Sequence, residues 1–203
     1  MEVVERAIDL LEIDGAVDTV VDIGAGDGRF MVRCAERTGA NILGVEIDEE
    51  RGAEAEAKIE AAGVCDKCKL IIGNALDQDY AATGGTAFFL YLIPRGLRIV
   101  LPILQAIARP LRVVTYISPF PDEVQPVQVI KVKSAKHADS GVEWPLYVYE
   151  LNGVAVVDKD STDDGEIGDG AAPNSDTPDT VFQLAAAVAA AAVSDAATNA
   201  YME

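Results

Sequence analysis

Two hydrophobic periods alternate along the first three quarters of the chain. Val3, Val4, Ile8 and Leu11 fall on one face of a helical repeat, which predicts a helix over residues 2–12. The β-branched run Thr19–Ile23 predicts a strand. Phe30, Met31 and Cys34 then mark the buried side of a helix over Asp27–Thr38 that Gly39 ends. The alternation continues with a strand over Asn41–Glu46, a charged, alanine-rich helix over 49–62 closed by Gly63, and a strand over Lys69–Ile72. Thr86–Leu92 is apolar without alternation, which suits a central parallel strand covered on both faces. A helix follows with Leu97, Val100, Leu101 and Leu104 inward, and Pro102 should kink it unless it starts later. Leu111–Ile117 is a fifth strand. Val127–Lys133 and Leu146–Leu151 alternate more clearly and read as an antiparallel pair. The predicted class is α/β, with a seven-stranded, mostly parallel sheet, an antiparallel last strand and helices on both faces.

Composition changes this picture near residue 158. Residues 158–180 hold eight acids against Lys159, with several Gly, Ser, Thr and Pro, the composition of a disordered linker. Residues 181–203 are mostly alanine at first and read as a weakly helical tail, too short in its apolar part to span a bilayer. The organisation expected is a domain over 1–157, an acidic linker over 158–180 and a tail over 181–203. The formal net charge of −18 argues against a nucleic-acid partner, which calls for basic patches. Glu2, Glu5 and Arg6 are unlike a signal or transit peptide. Cys65 and Cys68 form a single C-x-x-C beside one further cysteine, Cys34, and one histidine, His137. Two thiolates fall short of the four ligands of a structural zinc, so no metal is expected.

The candidate chemistry lies at Asp22-Ile23-Gly24-Ala25-Gly26-Asp27-Gly28, where a strand ends in an acid and a glycine turn opens a helix. Such a turn lets a ligand approach the backbone and offers it the helix's free N–H groups. The glycines are spaced G-x-G-x-G, not the G-x-G-x-x-G of dinucleotide folds, although any tight βα turn also uses glycine. Glu46 ends the second strand about twenty residues on, where a fold of this kind grips a ribose. Its two carboxylate oxygens suit vicinal hydroxyls; the alternative is a solvated strand-end acid. Asn74 follows Gly73, and its side chain can accept through its oxygen and donate through its NH2.

These landmarks, Asp22–Gly28, Glu46, Gly73–Asn74 and the strand end Leu90–Gly96, together resemble the class I S-adenosylmethionine (SAM) methyltransferases over residues 2–151. The resemblance implies a Rossmann-like sheet, SAM as cofactor, and a cofactor site made of Asp22, Gly24, Ala25, Gly26, Gly28, Glu46, Ile47, Asn74 and Ala75. Within that superfamily, Val4–Ala7, Asp22–Phe30 and Leu90–Pro94 look most like a compact group. That group includes the mitochondrial lysine methyltransferases acting on the ATP synthase c-subunit and the adenine nucleotide translocase.

No Asn/Asp-Pro-Pro-Tyr follows the fourth strand; Leu90-Tyr91-Leu92-Ile93-Pro94-Arg95 stands there instead. Tyr91 and Pro94 are the candidate catalytic residues, with Tyr91 either lining the methyl channel or serving as a core tyrosine. Arg95 and Arg98 read as a solvated helix face rather than a steering patch. The missing motif fits an amine that needs only to lose its proton, so the expected reaction is N-methylation of a protein lysine. Asp77 and Asp79 are placed to receive its ammonium. The segment Ser118–Pro126 is short, which leaves an open site and favours a protein over a small molecule. The alternatives are a small-molecule methyltransferase and a non-catalytic SAM-binding module. The chain is expected to act as a monomer inside the cell, in the cytoplasm by default with the mitochondrion as the alternative.

Overall fold

Residues 2–133 and 142–152 are described by a computed structural model. They form, in order, α1 (Glu2–Leu11), β1 (Thr19–Ile23), α2 (Arg29–Thr38), β2 (Asn41–Glu46), α3 (Glu49–Ala61), β3 (Cys68–Ile72), β4 (Ala87–Leu90), α4 (Pro94–Gln105), β5 (Leu111–Tyr116), β6 (Gln128–Lys133) and β7 (Glu143–Leu151). The seven strands pair in the order β3-β2-β1-β4-β5-β7-β6. β1 runs parallel to β2 and β4, and β2–β3 and β4–β5 are also parallel. β7 lies antiparallel between β5 and β6. The class expected from the hydrophobic pattern is the class observed. The segments 158–180 and 181–203, and the boundary at 157, lie outside the described residues.

The central strands are apolar on both sides because both faces are covered. Val20 and Phe89 belong to one core with Val4, Ile8 and Leu11 of α1, Phe30, Met31 and Cys34 of α2 and Ile59 of α3. Val21, Phe88 and Leu90 belong to a second core with Leu97, Val100, Leu101 and Leu104 of α4. Successive strand side chains point to opposite faces, so neighbours such as Phe88 and Phe89 anchor different layers. Phe30 stacks on Phe89 with ring centroids 4.3 Å apart, and Tyr80 meets Phe88 edge-on at 6.1 Å.

Element ends depart from expectation where the backbone turns. α2 begins at Arg29, two residues late, because Gly28 takes a left-handed φ of 73° that no helix interior accepts. β4 covers only Ala87–Leu90; Thr86 still bonds both neighbours, donating to Thr19 and accepting from Arg112. Beyond Leu90 the chain leaves the sheet. α4 begins at Pro94 and continues through Pro102. Pro102 deprives the Arg98 carbonyl of its donor, but both residues are exposed and solvent can serve that carbonyl. β7 starts at Glu143, earlier than the pattern predicts. Cys68 is the buried first residue of β3 and Cys65 is exposed in the turn before it.

Candidate active site

Connections run from β1 through β2 to β3 on one side, and β4 then returns to the other side of β1. This reversal opens a crevice at the C-terminal ends of β1, β2 and β4, the place where open α/β sheets bind ligands. The glycine turn fills it. Gly24 and Ala25 donate their N–H groups to the Val45 carbonyl at 2.9 and 3.0 Å, which pins the turn to β2. Gly24, Gly26 and Gly28 all hold left-handed φ values of 84°, 56° and 73°. At Gly28 a Cβ would also stand 2.8 Å from the Ala55 Cβ, so the third glycine lets the turn pack on α3. A Cβ at Gly26 would meet only the Arg51 guanidinium carbon, at 3.9 Å, so there is room above the turn.

Two acids hold this turn from beneath and from the side. Glu46 is buried, so it is not a solvated strand-end acid. Its Oε2 accepts the Gly26 N–H at 2.6 Å, and its Oε1 accepts the Ile47 and Asp48 N–H groups at 3.0 Å each. A carboxylate offers about four acceptor positions. Three are filled by backbone donors, and the one left, on Oε2, is the position available to a ribose hydroxyl. Asp27 accepts from Arg29 Nε and Nη2, each at 2.7 Å, and from Lys58 Nζ. The Arg29 hydrogen bonds, followed by Lys58, hold its carboxyl far below the usual range. The turn is thereby tied to the start of α2 and to α3.

Asp22 is different. It is 1% exposed, and neither carboxylate oxygen has a hydrogen-bond partner among the described residues. Burial, then the neighbouring Glu46 and Asp27 carboxylates, push it up to about 8. A buried carboxyl without partners is costly and calls for an explanation.

The remaining expected residues cluster around the same edge. Gly73 donates to the Glu46 carbonyl at 2.7 Å, which brings the end of β3 to the site. Asn74 Oδ1 accepts the Leu76 N–H at 3.0 Å and so caps the turn Ala75–Asp77, leaving its NH2 group to donate outward. Ile47 is exposed and Ala75 half-buried. Tyr91 is 55% exposed just past β4, so it is not a core tyrosine. Its carbonyl oxygen lies 3.3 Å from where a Gly24 Cβ would stand. Pro94 is the exposed first residue of α4, where a missing N–H costs nothing.

Four residues escaped the sequence reading. Arg51 reads as a solvated helix arginine but leans over Gly26. Leu92 places its Cδ2 3.0 Å from the Gly24 Cβ position. Tyr80 is a core tyrosine, and its hydroxyl donates to the Ala75 carbonyl at 2.8 Å, holding the Asn74 turn in place. Tyr116 ends β5 with its ring 5.0 Å from that of Tyr91. No sequence signal marks these contacts; the Tyr91–Tyr116 meeting follows from the strand register that places Leu90 opposite Thr115.

These residues fit SAM. It is cationic at its ammonium and sulfonium groups, and the glycine turn offers a free acceptor position on Glu46 and open space at Gly26, with the buried Asp22 carboxyl, without a hydrogen-bond partner among the described residues, just before it in β1. Comparison with known proteins agrees. The family model described as "Methyltransferase domain" matches residues 20–111. A protein-lysine N-methyltransferase of Saccharolobus islandicus (strain REY15A) is 31% identical over 156 residues, covering 74% of this chain and 89% of the relative. The chain belongs to the class I SAM-dependent methyltransferases. Among solved structures, an RNA methyltransferase from Salinibacter ruber in complex with S-adenosyl-L-homocysteine is 26% identical, with a TM-score of 0.65 over 74% of this chain and 90% of that one. A SAM-dependent methyltransferase from Aquifex aeolicus shares the fold at 14% identity and a TM-score of 0.56, over 74% of this chain and 90% of that one.

For this methyltransferase, Glu46→Ala should weaken SAM binding by about 1.5–3 kcal/mol, about 10- to 150-fold in Kd. The substitution removes the candidate ribose acceptor and strands the Gly26 N–H that it holds. Calorimetric titration of both proteins with SAM checks this; equal affinities would remove Glu46 from the site.

Proposed function

We propose that this methyltransferase transfers the SAM methyl group to the side-chain amine of a protein lysine. The observation that carries the reading is the 31% identity to a protein-lysine N-methyltransferase across 89% of that relative's length. The likeness of Leu90–Pro94 to the compact group of lysine methyltransferases supports it. So does the short β5–β6 connection, residues 117–127, which leaves the sheet edge open to a protruding side chain.

SAM supplies a methyl group on a sulfonium with a neutral thioether as leaving group. The protein's task is therefore orientation, which is worth roughly 7–11 kcal/mol when reacting atoms are held in line. The glycine turn and Glu46 would fix the cofactor, and Tyr91 stands beside that turn as the candidate contact for the incoming amine. On the same reading the partner is another protein, the chain acts as a monomer, and its −18 charge favours a cationic substrate over a nucleic acid.

The relative from Salinibacter ruber is an RNA methyltransferase, so the test must keep both substrates in play. Purified chain and radiolabelled SAM are incubated with a cell extract, which is then separated into protein, nucleic-acid and small-molecule fractions. Label in the protein fraction is expected. Label confined to RNA or to small molecules would overturn the lysine reading.

A further inference from the structure

We propose that Tyr91 and Tyr116 together form the recognition site for the cationic end of the substrate, which makes them specificity-determining residues for an alkylammonium group. This rests on the reading of the site as a methyltransferase for a protein amine. The two side chains are brought together by the sheet. β4 and β5 are adjacent and parallel, with Leu90 opposite Thr115, so the next residues on each strand, Tyr91 and Tyr116, meet at the C-terminal edge. Their ring centroids are 5.0 Å apart with the planes tilted by 55°. The backbone of Tyr91 touches the glycine turn, its carbonyl oxygen 3.3 Å from the Gly24 Cβ position, so the pair borders the cofactor crevice.

The chain accepts backbone strain to build this pair. Ile117 holds a φ of 71°, a left-handed conformation that is an outlier for a β-branched residue. The Ser118 N–H donates back to the Tyr116 carbonyl at 2.9 Å, closing a three-residue turn of the strained hand. Three further features hold that turn. Ile117 N–H donates to the Pro145 carbonyl at 2.9 Å, Thr115 Oγ1 donates to the Ser118 carbonyl at 2.7 Å, and Thr115 itself is fully buried. Strain of this kind persists where surrounding structure over-determines it, and it concentrates at functional sites. Here it turns the chain sharply away directly after the Tyr116 ring.

The chemistry of the pair selects a cation. Leu90–Gly96 and Thr115–Pro121 contain no Asp, Glu or His, and their one charged residue, Arg95, is exposed on the first turn of α4, so the attraction these two segments offer a cation is that of the ring faces. An aromatic face attracts an ammonium group within about 6 Å of its centroid, an effect of about 2- to 30-fold in affinity. A planar base is less well served. The two rings are already in contact and tilted, leaving no slot between them, and the net charge of −18 repels a phosphate backbone.

The test compares choline with 3,3-dimethylbutan-1-ol, which has nearly the same shape but no charge. Each is titrated into the full chain saturated with S-adenosylhomocysteine, and the tyrosine ring resonances are followed by NMR. Choline is expected to shift the Tyr91 and Tyr116 rings and to bind several-fold more tightly than the neutral analogue. Tyr91→Phe should keep that preference, while Tyr91→Leu, which retains apolar bulk, and Tyr116→Leu should lose it. Equal binding of the two probes, or loss of the preference in Tyr91→Phe, would overturn the proposal, as would ring shifts produced by adenosine monophosphate and not by choline. The readout does not involve methyl transfer. Choline recognition with label found outside the protein fraction would therefore retain this site and reject the lysine reading alone.

Discussion

Between pH 7 and pH 9, methyl transfer to a protein lysine is expected to accelerate about tenfold per pH unit. A free lysine has a pKa near 10.4, so only about 0.04% of it is neutral at pH 7. Reaching the reactive amine from there costs roughly 4.6 kcal/mol at 1.36 kcal/mol per unit. Among the described residues, neither the segment around Tyr91 nor the acids after β3 offer a buried base to offset this. Leu90–Gly96 carries no acid or histidine, and Asp77 and Asp79 are exposed, with Asp79 Oδ1 already accepting the Ala82 N–H at 3.1 Å. These acids would at most receive the ammonium before its proton leaves to water. The check is a pH profile of kcat/KM for the labelled protein, measured at saturating SAM so that titration within the cofactor site does not contribute. A flat profile would contradict direct attack by an unassisted lysine.

The second large effect concerns Asp22, and it appears without any substrate. Its folded-state value, pushed up to about 8, lies far above the ordinary 3.8. The folded chain therefore keeps a proton that the unfolded chain releases above about pH 4. Stability from this group is complete below that pH. It is lost as pH rises toward 8, with a slope of up to about 1.36 kcal/mol per unit. Asp22→Asn preserves the shape and removes the titration. At pH 8 the variant should be the more stable protein, by up to about 5 kcal/mol or on the order of 10 °C in Tm, while near pH 4 the two should converge. Thermal melts of wild type and variant without cofactor, from pH 4 to 8, test this. Parallel curves would mean that Asp22 carries no excess proton in the fold.

Periodicity carried most of the fold. β2 occupies Asn41–Glu46, as its run of apolar residues predicts, and the four inward leucine and valine positions of α4 are all buried. Patterns fail where a single residue breaks a rule locally. Pro145 hid the first three residues of β7, since proline argues against a strand interior, yet here its carbonyl accepts the Ile117 N–H and it pairs with Lys131 near the sheet edge. The glycine turn was legible because its left-handed positions demand glycine and its acids fall at set distances in the sequence. The Tyr91–Tyr116 pair was not, because it depends on the register of two strands separated by a helix. No residue type announces a left-handed isoleucine, and nothing in Val-Val-Asp-Ile-Gly says that the aspartate has no hydrogen-bond partner among the described residues. Arg51 illustrates the same limit: exposed arginines in charged helices are common, and only the fold brings this one over Gly26.

The most direct test of the account is to locate the transferred methyl group. The purified chain is given SAM with a deuterated methyl group and the extract proteins, and labelled peptides are sequenced by tandem mass spectrometry. The account predicts the heavy methyl on the Nζ atom of lysine, in amounts that fall when Glu46→Ala replaces the wild-type chain. Heavy methyl on any other atom, in protein or elsewhere, would contradict it.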